Sequence, residues 1–247
     1  MVPGRLGAQH RAPEGCRHHL IRMDIRTAIR TNGAVRSFTD EVVADATIFD
    51  ILDDARFAPS GGNRQGWRVV VMKDPSLRAE LAALMRPVWD EYMELSQSGR
   101  TPFTVVDRAE PPVAPTNPQR VPNSLLDDIA SVPVVLVVAA DLSRIATMDK
   151  DLQRPPITGG ASIYPFCWSI LLAARARGLG GVMTTFLSRA EPAAGAVIGL
   201  SADHALAATI FLGHPVDQPT RLRRRDVTSF ATIDRFDGPE FTRQTQS

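Results

Sequence analysis

Residues 58–68 read Ala58-Pro59-Ser60-Gly61-Gly62-Asn63-Arg64-Gln65-Gly66-Trp67-Arg68, and this stretch decides how the chain on either side is read. Upstream, Ile48, Ile51, Leu52 and Ala55 keep the spacing of one apolar helix face. Pro59 stops that helix, because it has no amide proton and its ring collides with the preceding turn. Downstream, Val69-Val70-Val71-Met72 is a continuous apolar run, the mark of a buried strand. The stretch is therefore a tight helix-to-strand corner. Ser60 brings a hydroxyl, and Asn63 and Gln65 each bring amide donors and an acceptor. Gly61 and Gly62 let the backbone approach a ligand with no Cβ in the way. Such a corner presents neutral hydrogen-bonding groups to a flat polar ring. It also reads as an ordinary Gly-rich connection, and the residues alone leave both readings open.

Working outward, Asp24 opens a helix with Ile25, Ala28 and Ile29 on one side, ending near Asn32-Gly33. A second helix is expected over 47–57 and a strand over 68–72. Asp74-Pro75 is a helix start with proline at the first helical position, and Leu77, Leu81, Leu84, Val88, Trp89 and Tyr92 continue at helical spacing. Residues 99–123 contain six prolines and little periodicity, the character of a lid or binding loop, with Phe103 a candidate stacking group. The apolar run 134–140 reads as a strand covered on both faces. Residues 161–177 are apolar around the whole helical circumference and predict a buried helix, in the core or at a subunit interface, capped by Gly178. A short strand over 181–185, a capping box from Ser188 to Glu191 and a strand over 205–212 follow. Helices alternate with buried strands and no repeat is visible, which predicts a three-layer α/β domain with a mixed sheet.

A chain of 247 residues holds one domain or two small ones. We read 1–22 as a disordered tail, 23–237 as one domain and 238–247 as a C-terminal tail. The net charge of +1 argues against a general nucleic-acid or membrane-surface binder. Two cysteines, Cys16 and Cys167, make neither a disulfide framework nor a metal cluster. His10, Cys16, His18 and His19 fit no standard zinc spacing. The longest apolar run, around 132–140, is far too short to span a bilayer. The first residues are basic with no apolar block, so no secretory signal is read and a cytoplasmic location is expected by default.

No nucleophile–His–acid constellation, Walker loop or strand-linked Gly-x-Gly-x-x-Gly is present. That silence is compatible with an enzyme in which a bound cofactor carries the chemistry and the protein binds, orients and tunes it. Arg221-Leu222-Arg223-Arg224-Arg225 taken alone reads as a solvated basic patch.

The corner string resembles the hallmark of the FMN-dependent nitroreductase family. Three more segments agree in order and spacing: 30–38 (RTNGAVRSF) is similar to its phosphate-binding segment, 177–185 to the strand beside the flavin, and 219–223 to the basic segment closing on the FMN phosphate. The resemblance implies a nitroreductase-like three-layer α/β/α sandwich with a mixed, mainly antiparallel sheet, forming a domain-entwined homodimer. It implies FMN held by Asn32, Gly33 and Arg36, by Pro59, Ser60, Gly61, Asn63 and Gln65 of the corner, by Met183, Thr184 and Thr185, and by Arg221 and Arg223. No protein side chain is expected to be catalytic. Arginine forks suit a phosphate dianion, and a backbone N–H of the Gly-rich strand suits the flavin N5 edge. The implied reaction passes hydride from NAD(P)H through the flavin to a nitroaromatic, quinone or similar acceptor by a ping-pong mechanism. Dehalogenation, flavin fragmentation, deazaflavin-linked reduction and a non-catalytic flavin-binding role are the alternatives. One departure stands out: many relatives carry Arg-Arg-Ser or a similar basic group where this chain has Asn32-Gly33-Ala34. Arg36 remains, and Arg30 lies two residues earlier.

Overall fold

The computed structural model describes residues 23–105 and 121–243. Its elements are α1 (Ile25–Thr31), α2 (Asp45–Ala55), β1 (Trp67–Met72), α3 (Pro75–Gln97), α4 (Ser124–Asp127), β2 (Val134–Asp141), α5 (Tyr164–Ala176), β3 (Gly180–Thr184), α6 (Phe186–Arg189), α7 (Glu191–Ile198) and β4 (His204–Gly213). The strands form one sheet in the order β1-β2-β4-β3. All three strand pairs are antiparallel. The mixed character comes from the segment after α1, where Ala34 makes a parallel bridge to Gly181.

Strand alternation builds the layers. Leu136, Val138, Ile210 and Leu212 face α2 and α5 through Ile48, Ile51, Phe166 and Ile170. Val135, Val137 and Phe211 face the other way, against Leu81 and Met85 of α3, Leu125 of α4 and Leu187 of α6. Central strands buried on both sides read as unbroken apolar runs, which is why 134–140 carries no polar residue. A register shift between Val138 and Ala139 returns Leu206 to the α3 side.

Local chemistry sets the boundaries. Asp24 caps α1, its carboxylate accepting the Thr27 amide at 3.0 Å. Asp74 caps α3 through the amides of Ser76 and Leu77, with Pro75 at the first position. Gly178 ends the turn after α5 at φ 80°, where the Leu179 amide reaches the Ala174 carbonyl at 3.0 Å. Four expectations are corrected. α2 starts two residues earlier than expected and α3 runs on to Gln97, with Pro87 inside it. α5 begins at Tyr164, because Thr158–Ser162 winds as a 3-10 turn first. The capping box is absent: Ser188 lies inside α6, and Glu191 turns to accept the Leu206 amide at 2.6 Å. Pro192, in the first turn of α7, has no N–H to be capped.

The expected tail at 1–22 lies outside the described residues, as do 106–120 of the proposed lid and 244–247. The ring of Phe103, the candidate stacking group, lies 6.3 Å from that of Tyr92, and the Arg189 guanidinium sits 4.3 Å above it. Among the described residues no helix is long and apolar enough to cross a membrane, and no group of three or more His, Cys, Asp or Glu could hold a metal ion.

Candidate functional site

The corner is built by its own hydrogen bonds. The Ser60 carbonyl accepts the Asn63 amide at 2.9 Å, closing a 3-10 turn over Gly61–Asn63, and Ser60 Oγ accepts the Gln65 amide at 3.0 Å. Gln65 Nε2 donates to Asn63 Oδ1 at 3.1 Å. The capacity remaining includes the Asn63 amide donors, the Gln65 carbonyl and its second N–H, and the Ser60 hydroxyl proton. Gly62, Asn63 and Gln65 all have positive φ, at 61°, 52° and 49°, and two of these are not glycine. Such backbone strain persists only where the surroundings over-determine it, and it concentrates at ligand sites. Pro59, Gly61, Gly62, Asn63, Arg64 and Gln65 are exposed, and Ser60 is half-buried. Behind them Trp67 lies flat on Phe166, ring centroids 4.6 Å apart and planes 3° from parallel.

The second half of the site gathers at the far edge of the sheet. The chain after α1 runs along β3, where the Val35 amide donates to the Gly181 carbonyl at 3.0 Å. By strand alternation, Met183 turns its N–H and C=O to that same outer edge. Met183 and Thr184 are half-buried and Thr185 is exposed. The segment after β4 closes over the same region. Thr39 donates to the His214 carbonyl at 2.9 Å, Val216 to that of Ser37 at 3.1 Å, and Gly33 to that of Pro219 at 3.2 Å. Arg36, Arg221 and Arg223 therefore emerge from two segments that are bonded to each other. All three are exposed, and among the described residues none forms an ion pair.

Asn32 is buried, 8% exposed, and its Nδ2 has no partner among the described residues. Gln218, which the sequence reading did not single out, reaches across it. Its Nε2 donates to the Gly33 carbonyl at 3.2 Å and approaches that of Thr31 at 3.4 Å, while its Oε1 is buried and unpartnered. Thr184 Oγ1 is also buried without a partner. Orphaned polar atoms of this kind carry an energetic penalty unless a ligand or water satisfies them. Amide and hydroxyl groups, an open strand edge and free arginines form a donor set that suits a phosphorylated polar ring such as FMN. The corner and this cluster remain separate within one chain: β1 and β3 are the two outer strands, and the corner's bonds run instead to the loop between β2 and α5.

The chain matches the Nitroreductase family over residues 29–214 and belongs to that family. Among curated proteins it is similar to an NADH dehydrogenase of Thermus thermophilus, 23% identical over 205 residues, covering 79% of this chain and 89% of that protein. Among solved structures it is similar to a nitroreductase-type protein of Desulfovibrio desulfuricans in complex with FMN, with a TM-score of 0.61 and 22% identity, covering 87% of this chain and 99% of that one. It is also similar to the NADPH:FMN oxidoreductase of Vibrio harveyi complexed with NAD+, with a TM-score of 0.59 and 21% identity, covering 85% of this chain and 76% of that one.

Proposed function

We propose that the protein is an FMN-dependent oxidoreductase that takes reducing equivalents from NAD(P)H and passes them to an electron-poor organic acceptor. The observation that carries this reading is that the segments bearing Arg36, Arg221 and Arg223 are hydrogen-bonded to each other, the first of them also bridging to β3, and that all three arginines are exposed. When bound, FMN supplies the two-electron chemistry. The chain's own residues do the rest. Arg36, Arg221 and Arg223 neutralise the phosphate by charge-assisted hydrogen bonds. Asn32 Nδ2 and Gln218 Oε1 gain partners on the neighbouring polar chain. The Met183 backbone N–H would serve the ring's N5 edge. Ser60, Asn63 and Gln65 match the donors and acceptors of its pyrimidine end. One pocket serving donor and acceptor in turn gives ping-pong kinetics.

The working unit in this reading is a homodimer with two shared sites. The separation of the corner from the arginine cluster within one chain supports it. So do the apolar side chains left on one chain's surface: Phe49 of α2, Tyr164 and Trp168 of α5, and Phe230, Phe236 and Phe241 of the C-terminal segment. Two-fold pairing is the commonest closed arrangement, and it covers such faces while bringing the corner of one chain to the arginines of the other.

The test is anaerobic. FMN-reconstituted protein is mixed rapidly with NADH, NADPH or a reduced deazaflavin, and then with nitroaromatic and quinone oxidants. Bleaching of the flavin band by a nicotinamide and its return with an acceptor is the expected result. A yellow protein that no donor bleaches, or a protein that holds no flavin, contradicts the reading.

A further inference from the structure

The strained corner is braced by a loop that the flavin reading leaves unused. Residues 142–163 join β2 to α5 and touch the corner at both ends. At one end, the Asp141 amide donates to the Gly66 carbonyl at 2.8 Å. Gly66 is packed so closely there that a Cβ would lie 3.0 Å from Arg144 Cβ and 3.2 Å from Ile145 Cγ2. At the other end, Ser162 Oγ accepts the Gly61 amide at 3.0 Å. The middle of the loop is gathered by one carboxylate. Asp149, 6% exposed, accepts from Thr158 Oγ1 at 2.5 Å, the Thr158 amide at 3.2 Å, the Ile157 amide at 2.9 Å and Arg154 Nη1 at 2.6 Å. Thr158 is the first residue of the 3-10 turn that ends at Ser162. The turn is seated tightly, since a Cβ on Gly159 would lie 2.9 Å from Thr147 Oγ1.

We propose that Asp149 and Ser162 are positioning residues: Asp149 locks the 3-10 turn, and Ser162 at its end fixes the Gly61 amide, holding Ser60, Asn63 and Gln65 in their ligand-ready arrangement. Four donors on one buried carboxylate make a rigid node, because each oxygen accepts two bonds and little freedom remains. Backbone at positive φ returns to commoner conformations unless something opposes it. The bond from Gly61 to Ser162 anchors the start of the left-handed run, and the packing of Gly66 on Arg144 and Ile145 anchors its end. The proposal rests on the corner being part of the flavin site.

Two readouts test it: amide hydrogen exchange at Gly61 and Gln65 in the flavin-free protein, and FMN affinity by fluorescence titration. Ser162→Ala and Asp149→Asn are each expected to speed Gly61 exchange and weaken FMN binding about three- to tenfold. The double variant is expected to be no worse than Ser162→Ala alone, because Asp149 acts on Gly61 only through Ser162. Ser162→Thr, which keeps the acceptor oxygen, is expected to restore both readouts. If Asp149→Asn does not fold, Thr158→Val removes one bond to the same carboxylate and takes its place. Unchanged Gly61 exchange in the Asp149 or Thr158 variant, or effects that multiply in the double variant, overturns the proposal. Wild-type protein that binds no FMN overturns the flavin reading instead, and the exchange measurement then still decides whether Asp149 and Ser162 hold the corner.

Discussion

Gly33 and Pro219 are in backbone contact: the Gly33 amide donates to the Pro219 carbonyl at 3.2 Å, and a Cβ on Gly33 would fall 2.7 Å from Pro219 Cβ and closer still to that carbonyl. Glycine at this position therefore has a physical reason. The segment carrying Arg221 and Arg223 closes directly onto the Gly33 backbone and leaves no room for a side chain. Gly33→Ala is expected to push the segment away and destabilise the fold by about 1–3 kcal/mol, as overpacking does. Thermal melting with and without FMN measures it. A variant with the parent's melting temperature and affinity contradicts the close approach.

Arg223→Ala is expected to remove one charge-assisted contact to the flavin phosphate. The loss is about 1.5–3 kcal/mol, or one to two decades in FMN affinity, with little change in the melting temperature of the flavin-free protein. Fluorescence titration reads it directly, and affinity equal to the parent's refutes the assignment.

Hydrogen bonds from Thr158, the Ile157 amide and Arg154 hold the Asp149 carboxyl well below the ordinary carboxylate range, against the opposing effect of its burial. The sign of the pH effect follows. A carboxyl whose pKa is lower in the folded chain than in the unfolded one is protonated first on unfolding, so the unfolded state binds more protons. The stability it contributes is complete above the unfolded value near 4 and falls away as pH drops below it. Denaturant midpoints measured between about pH 6 and pH 3 are expected to fall less steeply in Asp149→Asn than in the parent. Equal slopes mean that the Asp149 bonds do not survive in solution.

Much of the fold was legible because it rests on local rules. Pro59 ends α2 within a few residues, Asp74-Pro75 starts α3, Gly178 supplies the left-handed cap, and the unbroken run from Val134 announces a strand buried on both faces. The capping box failed because a tertiary bond from the Leu206 amide claims the Glu191 carboxylate. The start of α5 was misjudged because Thr158–Ser162 is small and weakly patterned, and the first residue of its 3-10 turn bonds to Asp149, nine residues earlier. The corner was readable from its residue types. Asp149, Ser162 and Gln218 were not: Ser162 and Gln218 bond to backbone amides or carbonyls, which leave no residue-type signal, and Asp149 shares its four bonds between backbone amides and the side chains of Arg154 and Thr158, whose spacing matches no motif. For Gln218, the one available hint was its place directly before Pro219-Thr220-Arg221.

The central claim is that one flavin site needs both the corner and the arginines, drawn from two copies of the chain. Two variants test it together: Asn63→Ala, and Arg221→Ala combined with Arg223→Ala. Each alone is expected to bind FMN weakly. When the two are unfolded, mixed in equal amounts and refolded, random pairing makes about half of the dimers mixed, and each mixed dimer regains one intact site. The account predicts tight FMN binding in the mixture at about one quarter of the wild-type capacity. No tight sites in the mixture, with the wild type refolded alongside binding normally, would contradict it.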